Sequence, residues 1–133
     1  MWVYDQRSGR LRHNGVVIAV GYAGCGIGKN NPLAQSSQGS DPARKHHHCS
    51  LGAGPLPKGF YTIGQPKYHG GVGSYSMPLV PDHKRGMFGR NGFYIHGPNR
   101  KHMKSSSDGC IILRLDARVI IWTSRDHRLE VIK

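Results

Sequence analysis

The chain has 133 residues, 37% of them hydrophobic, enough for one modest core and not for two. Lys and Arg number 19 against 7 acidic residues, and the resulting formal charge of +12 suits a polyanion without choosing among nucleic acid, an anionic envelope and an acidic polymer. Aromatics at 8% argue against a stacking platform for single-stranded nucleic acid, no run of five or more like charges marks a nucleic-acid tail, and no apolar run approaches the roughly 18 residues of a membrane span.

Heavy use of Gly (19) and Pro (8) favours short strands joined by turns, so a mainly β single domain over residues 1–133 is expected. Met1 to Asp5 lacks the basic and apolar segments of a secretory signal, which leaves cytosolic work, another export route or a missing leader. Trp2-Val3-Tyr4 is β-prone, and Leu11-Arg12-His13 leads into Asn14-Gly15, a strong hairpin signal. Val16 to Tyr22 reads as a strand buried on both faces. Residues 23–58 show neither helical nor alternating pattern and are expected as a long loop, a candidate lid.

Pro55-Leu56-Pro57-Lys58-Gly59 is a rigid turn into the strand Phe60 to Ile63. Ser74 to Val80 and Phe93 to His96 are further strands, and Cys110 to Leu113 is a short apolar run. Leu115 to Ser124 is the one expected helix, with Asp116 favouring its N-terminal dipole and Leu115, Val119, Ile120 and Trp122 as its core stripe. Arg128 to Ile132 closes the chain as a strand. Tyr61, Tyr75 and Tyr94 are expected to pack within strands, with a hydroxyl such as that of Tyr75 available to substrate; His69, His83 and His102 are expected in loops.

Three cysteines, Cys25, Cys49 and Cys110, form no C-x-x-C motif. In an oxidising compartment an odd count suggests one pair and one free thiol. Cys25 and Cys49 flank one loop-like stretch and are the natural pair, a bridge worth about 3 kcal/mol; the alternative is that both are reduced and buried. His46-His47-His48 beside Cys49 cannot easily turn three adjacent rings to one ion, so a solvated loop is expected, with no metal site and no cofactor.

The segment Phe93 to Leu113 carries the chemistry. His96 ends a strand, and Cys110 follows Ser107-Asp108-Gly109. A thiol attacks as the thiolate, which a nearby imidazole generates by taking the proton. Gly109 removes a side chain just before the thiol, and amides of such a turn suit an oxyanion hole. Gly97-Pro98 is positioned to fix the His96 ring, and His102 is a rival base. Against this stands the plain reading in which Cys110 is a small buried core residue and His96 a turn residue.

The segments Gly89-Arg90-x-Gly92-Phe93-x-Ile95-His96-Gly97 and Ser107-x-Gly109-Cys110-Ile111 resemble the L,D-transpeptidase (YkuD-type) catalytic domain. The closer likeness is to a divergent branch that includes effectors of bacterial type VI secretion systems. Lys29-Asn30-Asn31-Pro32 and Gly54-Pro55-Leu56-Pro57-x-Gly59-x-Tyr61-x-Ile63 extend it over most of the chain. The resemblance implies a small β-sandwich or barrel-like domain with one short helix near the C-terminus. It implies Cys110 as nucleophile and His96 as general base, with Ser107 and Gly109 at the family's turn positions; Ser107, Asp108 and Gly109 are the candidate turn for the oxyanion hole. Arg90, Gly97 and Tyr75 are the further candidates for contact with substrate.

The implied reaction is acyl transfer on a peptidoglycan stem tetrapeptide, ending in L,D-carboxypeptidase hydrolysis, D-amino-acid exchange or cross-linking. An antibacterial effector of this kind is exported without a signal peptide, acts in the periplasm of a target cell and has a cognate immunity protein. The chain departs from common members in having Asp108 where His usually precedes Gly-Cys, and Ile112 two residues past the thiol where Arg or Asn is frequent. Two alternatives stand beside this reading. One is a basic wall- or nucleic-acid-binding module in which Cys110 is structural. The other is a different peptidoglycan cysteine peptidase, such as an NlpC-type enzyme, which the order His96 then Cys110 argues against.

Overall fold

Ten strands, several with alternating burial, organise residues 1–36, 53–70, 72–98 and 109–133, the parts of the chain described by a computed structural model. In β1 (Trp2–Asp5) Trp2 and Tyr4 turn inward, and β2 (Arg10–His13) buries Leu11. Asn14 and Gly15, with φ of 50° and 83°, join β2 to β3 (Val16–Val20) with the positive φ at both positions that a two-residue hairpin turn favours. β4 (Tyr22–Ala23), β5 (Gly59–Ile63), β6 (Lys67–His69), β7 (Gly73–Pro81), β8 (Phe93–His96) and β9 (Ile111–Ile112) follow, then helix α1 (Leu115–Thr123) and β10 (Arg128–Ile132).

Hydrogen bonding orders the strands β3-β2-β1-β10-β5-β7-β8-β9-β4, with β6 added to β7 outside this path. The two ends of the path are consecutive in the chain, separated by Gly21 alone. The sheet therefore wraps into a nearly closed barrel. Gly21 permits the junction because a Cβ there would stand 2.0 Å from the Ile112 carbonyl oxygen. β1 pairs with β10, and β8 with β9, in parallel; the remaining pairs are antiparallel. The mainly β, barrel-like class with one helix near the C-terminus is the class expected.

Inward residues at every second strand position, among them Tyr4, Tyr61, Ile63, Met77, Leu79, Ile95, Ile111 and Leu129, build the core, and α1 covers it with Ala117 and Ile121. Each large side chain so buried stabilises by about 1.5–3 kcal/mol relative to exposure.

Three sequence expectations are corrected. Val16 to Tyr22 is not one doubly buried strand. It breaks at Gly21, and Val16, Val17 and Val20 are exposed because β3, at the end of the path with β2 as its single neighbour, has no layer packed over it among the described residues. The helix stripe is rotated: Leu115, Val119 and Ile120 face out, while Ala117, Arg118 and Ile121 face in and Trp122 is only partly covered. The amide of Leu113 donates to the His96 carbonyl at 3.0 Å, which ties the chain to the sheet just before the helix starts. His69 belongs to β6 rather than to a loop.

The stretch expected to be irregular contains 3-10 turns at Gly26–Gly28 and Pro32–Ala34, the second opened by the Asn31 side chain, which accepts from the Leu33 amide at 3.1 Å. Residues 53–57 return as a buried strap without regular secondary structure. His46, His47, His48 and Cys49, and with Cys49 the proposed bridge to Cys25, lie outside the described residues, as do His102, Ser107 and Asp108. No helix among the described residues is long and apolar enough to cross a membrane.

Candidate active site

β8 and β9 bring the two candidate residues to neighbouring strands. Ile95 is paired with Ile111 and His96 with Ile112, and one step back along the same register Cys110 lies beside Tyr94. Side chains alternate across a sheet, so Ile95 and Ile111 enter the core while Tyr94, His96, Cys110 and Ile112 share the other face. Strand spacing and rise put the Cα atoms of His96 and Cys110 roughly 8 Å apart on the diagonal, a span that an imidazole and a thiol can bridge. Both residues are buried.

The His96 ring is oriented by its own turn. Nδ1 lies 2.7 Å from the Gly97 carbonyl oxygen. A carbonyl only accepts, so Nδ1 carries the proton and Nε2 presents the lone pair that a base needs. Burial lowers the imidazole pKa, the bond to Gly97 raises it, and the Arg118 guanidinium lowers it further; the net direction is down. The ring is thus held neutral and able to accept a proton at neutral pH.

Arg118 comes from the inward face of α1. It donates through Nη1 to the carbonyls of Ser74 and Tyr75, at 2.9 and 3.1 Å. Its Nη2 lies so close to Gly97 that a Cβ at that position would approach it to 2.6 Å. No local pattern signals this placement, because a basic residue on a short surface helix is normally solvated.

The thiol of Cys110 donates to the Gly92 carbonyl at 3.7 Å. Gly109 before it has φ +115°, a conformation that L side chains rarely adopt, and a Cβ there would stand 2.2 Å from Arg90 Nη2. Arg90 is buried and turned into the protein. Nη1 donates to the carbonyls of Gln35 and of Pro55 (2.7 Å), Nη2 donates to that of Gly54 (3.0 Å), and the guanidinium lies over the Phe93 ring. It anchors the strap at residues 53–57, whereas the sequence offered it as a substrate contact. Gln6, which sequence reasoning missed, holds the same strap through a 2.8 Å bond to the Leu56 carbonyl.

Of the other expected site residues, Gly97 serves as the carbonyl partner of His96 and as the packing surface for Arg118. Tyr75 is half-buried with φ 51° and offers its carbonyl to Arg118. Tyr94, expected chiefly to pack within its strand, shares the face of the candidate pair and meets the His69 ring at 4.8 Å. Cys25 is buried beyond β4, its amide bonded to the Ala53 carbonyl at 2.8 Å. Among the described residues no group of three or more His, Cys, Asp or Glu is arranged to hold a metal ion.

A barrel-like sheet with an oriented imidazole and a thiol on neighbouring parallel strands has the makings of a cysteine acyl-transfer site. The YkuD family, the L,D-transpeptidase catalytic domain, matches residues 2–122, and the chain belongs to that family. Comparison with curated proteins and with solved structures returns no match.

Proposed function

We propose that the protein is a peptidoglycan-modifying cysteine enzyme that acts on the stem tetrapeptide, with Cys110 as nucleophile and His96 as general base. The observation that carries this reading is the His96 ring, buried and tied through Nδ1 to the Gly97 carbonyl, on the strand paired in parallel with the one that Cys110 precedes. His96 Nε2 takes the thiol proton, and the thiolate attacks the carbonyl carbon at the L-centre of the diamino acid. As the tetrahedral adduct collapses, the imidazolium returns the proton to the departing amine of the terminal D-alanine, leaving a thioester on Cys110. Water then completes an L,D-carboxypeptidase reaction, whereas a D-amino acid or the amine of a second stem completes exchange or cross-linking.

The same reading makes the protein an antibacterial effector delivered through a type VI secretion system to the periplasm of a target cell, with a cognate immunity protein. Its support is the likeness of the segments 89–97 and 107–111 to that branch of the family, and the basic charge suits an anionic wall. Mass spectrometry of muropeptides after incubation with the protein tests the chemistry. Loss of one terminal D-alanine, or its replacement by another D-amino acid, is expected from the wild type and not from Cys110→Ala or His96→Ala. A cut after the second stem residue, or trimming by Cys110→Ala, overturns the reading. Export to the periplasm behind a fused signal peptide tests the effector role, with toxicity expected for the wild type and not for Cys110→Ala.

A further inference from the structure

The Gly109 carbonyl and the Cys110 N–H belong to one peptide unit. That unit is planar and trans, so whatever fixes the direction of its carbonyl also fixes the direction of its N–H, which points the opposite way. The Leu56 amide donates to the Gly109 carbonyl at 2.9 Å. Leu56 lies in the strap, and the strap is held from the side of Gly109 by Arg90 Nη1 on the Pro55 carbonyl and Nη2 on the Gly54 carbonyl. The same guanidinium abuts the Cα of Gly109, where any Cβ would meet Nη2. Its other acceptor, the Gln35 carbonyl, links the strap to the end of the Pro32–Ala34 turn. One side chain therefore braces the Gly109–Cys110 peptide along two routes: through two carbonyls of the strap that binds its oxygen, and by direct packing on the residue that supplies that oxygen.

We infer that Arg90 is a positioning residue for acyl transfer, which aims the Cys110 N–H at the oxygen of the reacting carbonyl. The inference rests on the reading of Cys110 as nucleophile. Backbone N–H groups of a nucleophile are useful oxyanion donors only when their direction is set before the charge develops. A planar fork with several donors can hold neighbouring carbonyls in a fixed relation, which a lysine ammonium cannot reproduce. The scheme assigns Arg90 to the direction of the peptide N–H and the thiol's proton to His96, so thiol reactivity and acyl transfer separate in the test.

The experiment compares two reactions of Cys110 in Arg90→Gln and Arg90→Lys, each scaled to the folded fraction measured by circular dichroism. Alkylation by iodoacetamide needs a reactive thiolate but develops no oxyanion. Acyl transfer from a synthetic stem tetrapeptide ending in D-alanine needs both. We expect alkylation within about twofold of wild type and kcat for acyl transfer lower by about 100-fold, with KM little changed, the size of effect seen when an oxyanion donor is lost. Arg90→Lys keeps the charge and most of the packing but not the fork, and it is expected to fall with Arg90→Gln. Equal losses in both reactions, unchanged acyl transfer, or full rescue by lysine would overturn the inference. Acyl transfer that persists in Cys110→Ala would instead overturn the reading beneath it.

Discussion

At β3 the sheet leaves Val16 and Val20 60% and 63% exposed, while around β8 the fold buries His96, Ser76 of β7, Arg118 of α1 and Arg90 of the preceding turn to 7% or less. The two regions belong to one sheet and use residue types against their usual preference in opposite directions. At the hairpin end nothing among the described residues covers the outer face of β3, and its side chains carry little constraint. At the other end the buried polar groups meet backbone carbonyls: His96 meets Gly97, Arg90 meets Gly54 and Pro55, Arg118 meets Ser74 and Tyr75, and Ser76 meets Gly73. A buried polar group without a partner is costly, so these bonds fix backbone and side chain together. The apolar end specifies the fold loosely; the polar end specifies a geometry, as a preorganised site requires.

Substitutions can break that contrast, starting where the effect is largest. Replacing Cys110 by Ala should lower muropeptide turnover by at least about 1,000-fold, and His96→Ala should lower it by roughly 100- to 10,000-fold, with the protein still folded by circular dichroism. Within the core beneath the site, Ile95→Ala should lower stability by about 2–5 kcal/mol in urea unfolding, because Ile95 is fully buried and its loss leaves a cavity. Gly109→Ala should lower it by roughly 1–3 kcal/mol and reduce turnover as well, since it combines a φ of +115° with a collision against Arg90. At the hairpin end Val16→Thr and Val20→Thr should each change stability by no more than about 0.5 kcal/mol. Comparable losses at both ends would dissolve the distinction.

A pH titration sharpens the same contrast. The folded-state pKa of His96 lies below the ordinary 6.5, so between the two values the unfolded chain binds more protons. Stability from this residue is therefore present above pH 6.5 and is lost as pH falls from 6.5 toward the folded value. Urea unfolding of wild type and His96→Gln over this range should show the wild-type slope reduced in the variant. The acid limb of kcat/KM should likewise fall below 6.5, because the free enzyme keeps the base neutral there.

Much of the candidate site could be read in the residues themselves. His96 at a strand end, Gly97 beside it and Gly109-Cys110 opening an apolar run stand where thiol chemistry would need them, and the Asn14-Gly15 turn announced its hairpin. Other features were hidden for identifiable reasons. A run such as Val16-Val17-Ile18 looks the same whether a second layer covers it or water does, since hydrophobicity reports preference and not neighbours. In α1 the exposed apolar positions competed with the buried ones for the stripe, and rotation of the helix against the barrel decided between them. β6 was too short and too polar to stand out from its turn.

By itself the sequence determined the turns, the strand-forming runs, the charge and the residue types able to carry thiol chemistry, because these depend on local backbone preference and on the chemistry of single side chains. Tertiary structure alone decided that β4 closes the ring begun at β3, that β8 and β9 run in parallel so that His96 and Cys110 share a face, and that Arg90 and Arg118 are buried against the glycines flanking that pair. Those outcomes depend on contacts between residues far apart in the chain. Arg90 reaches the strap 35 residues away and Arg118 reaches Ser74 across 44, separations over which no local pattern carries information.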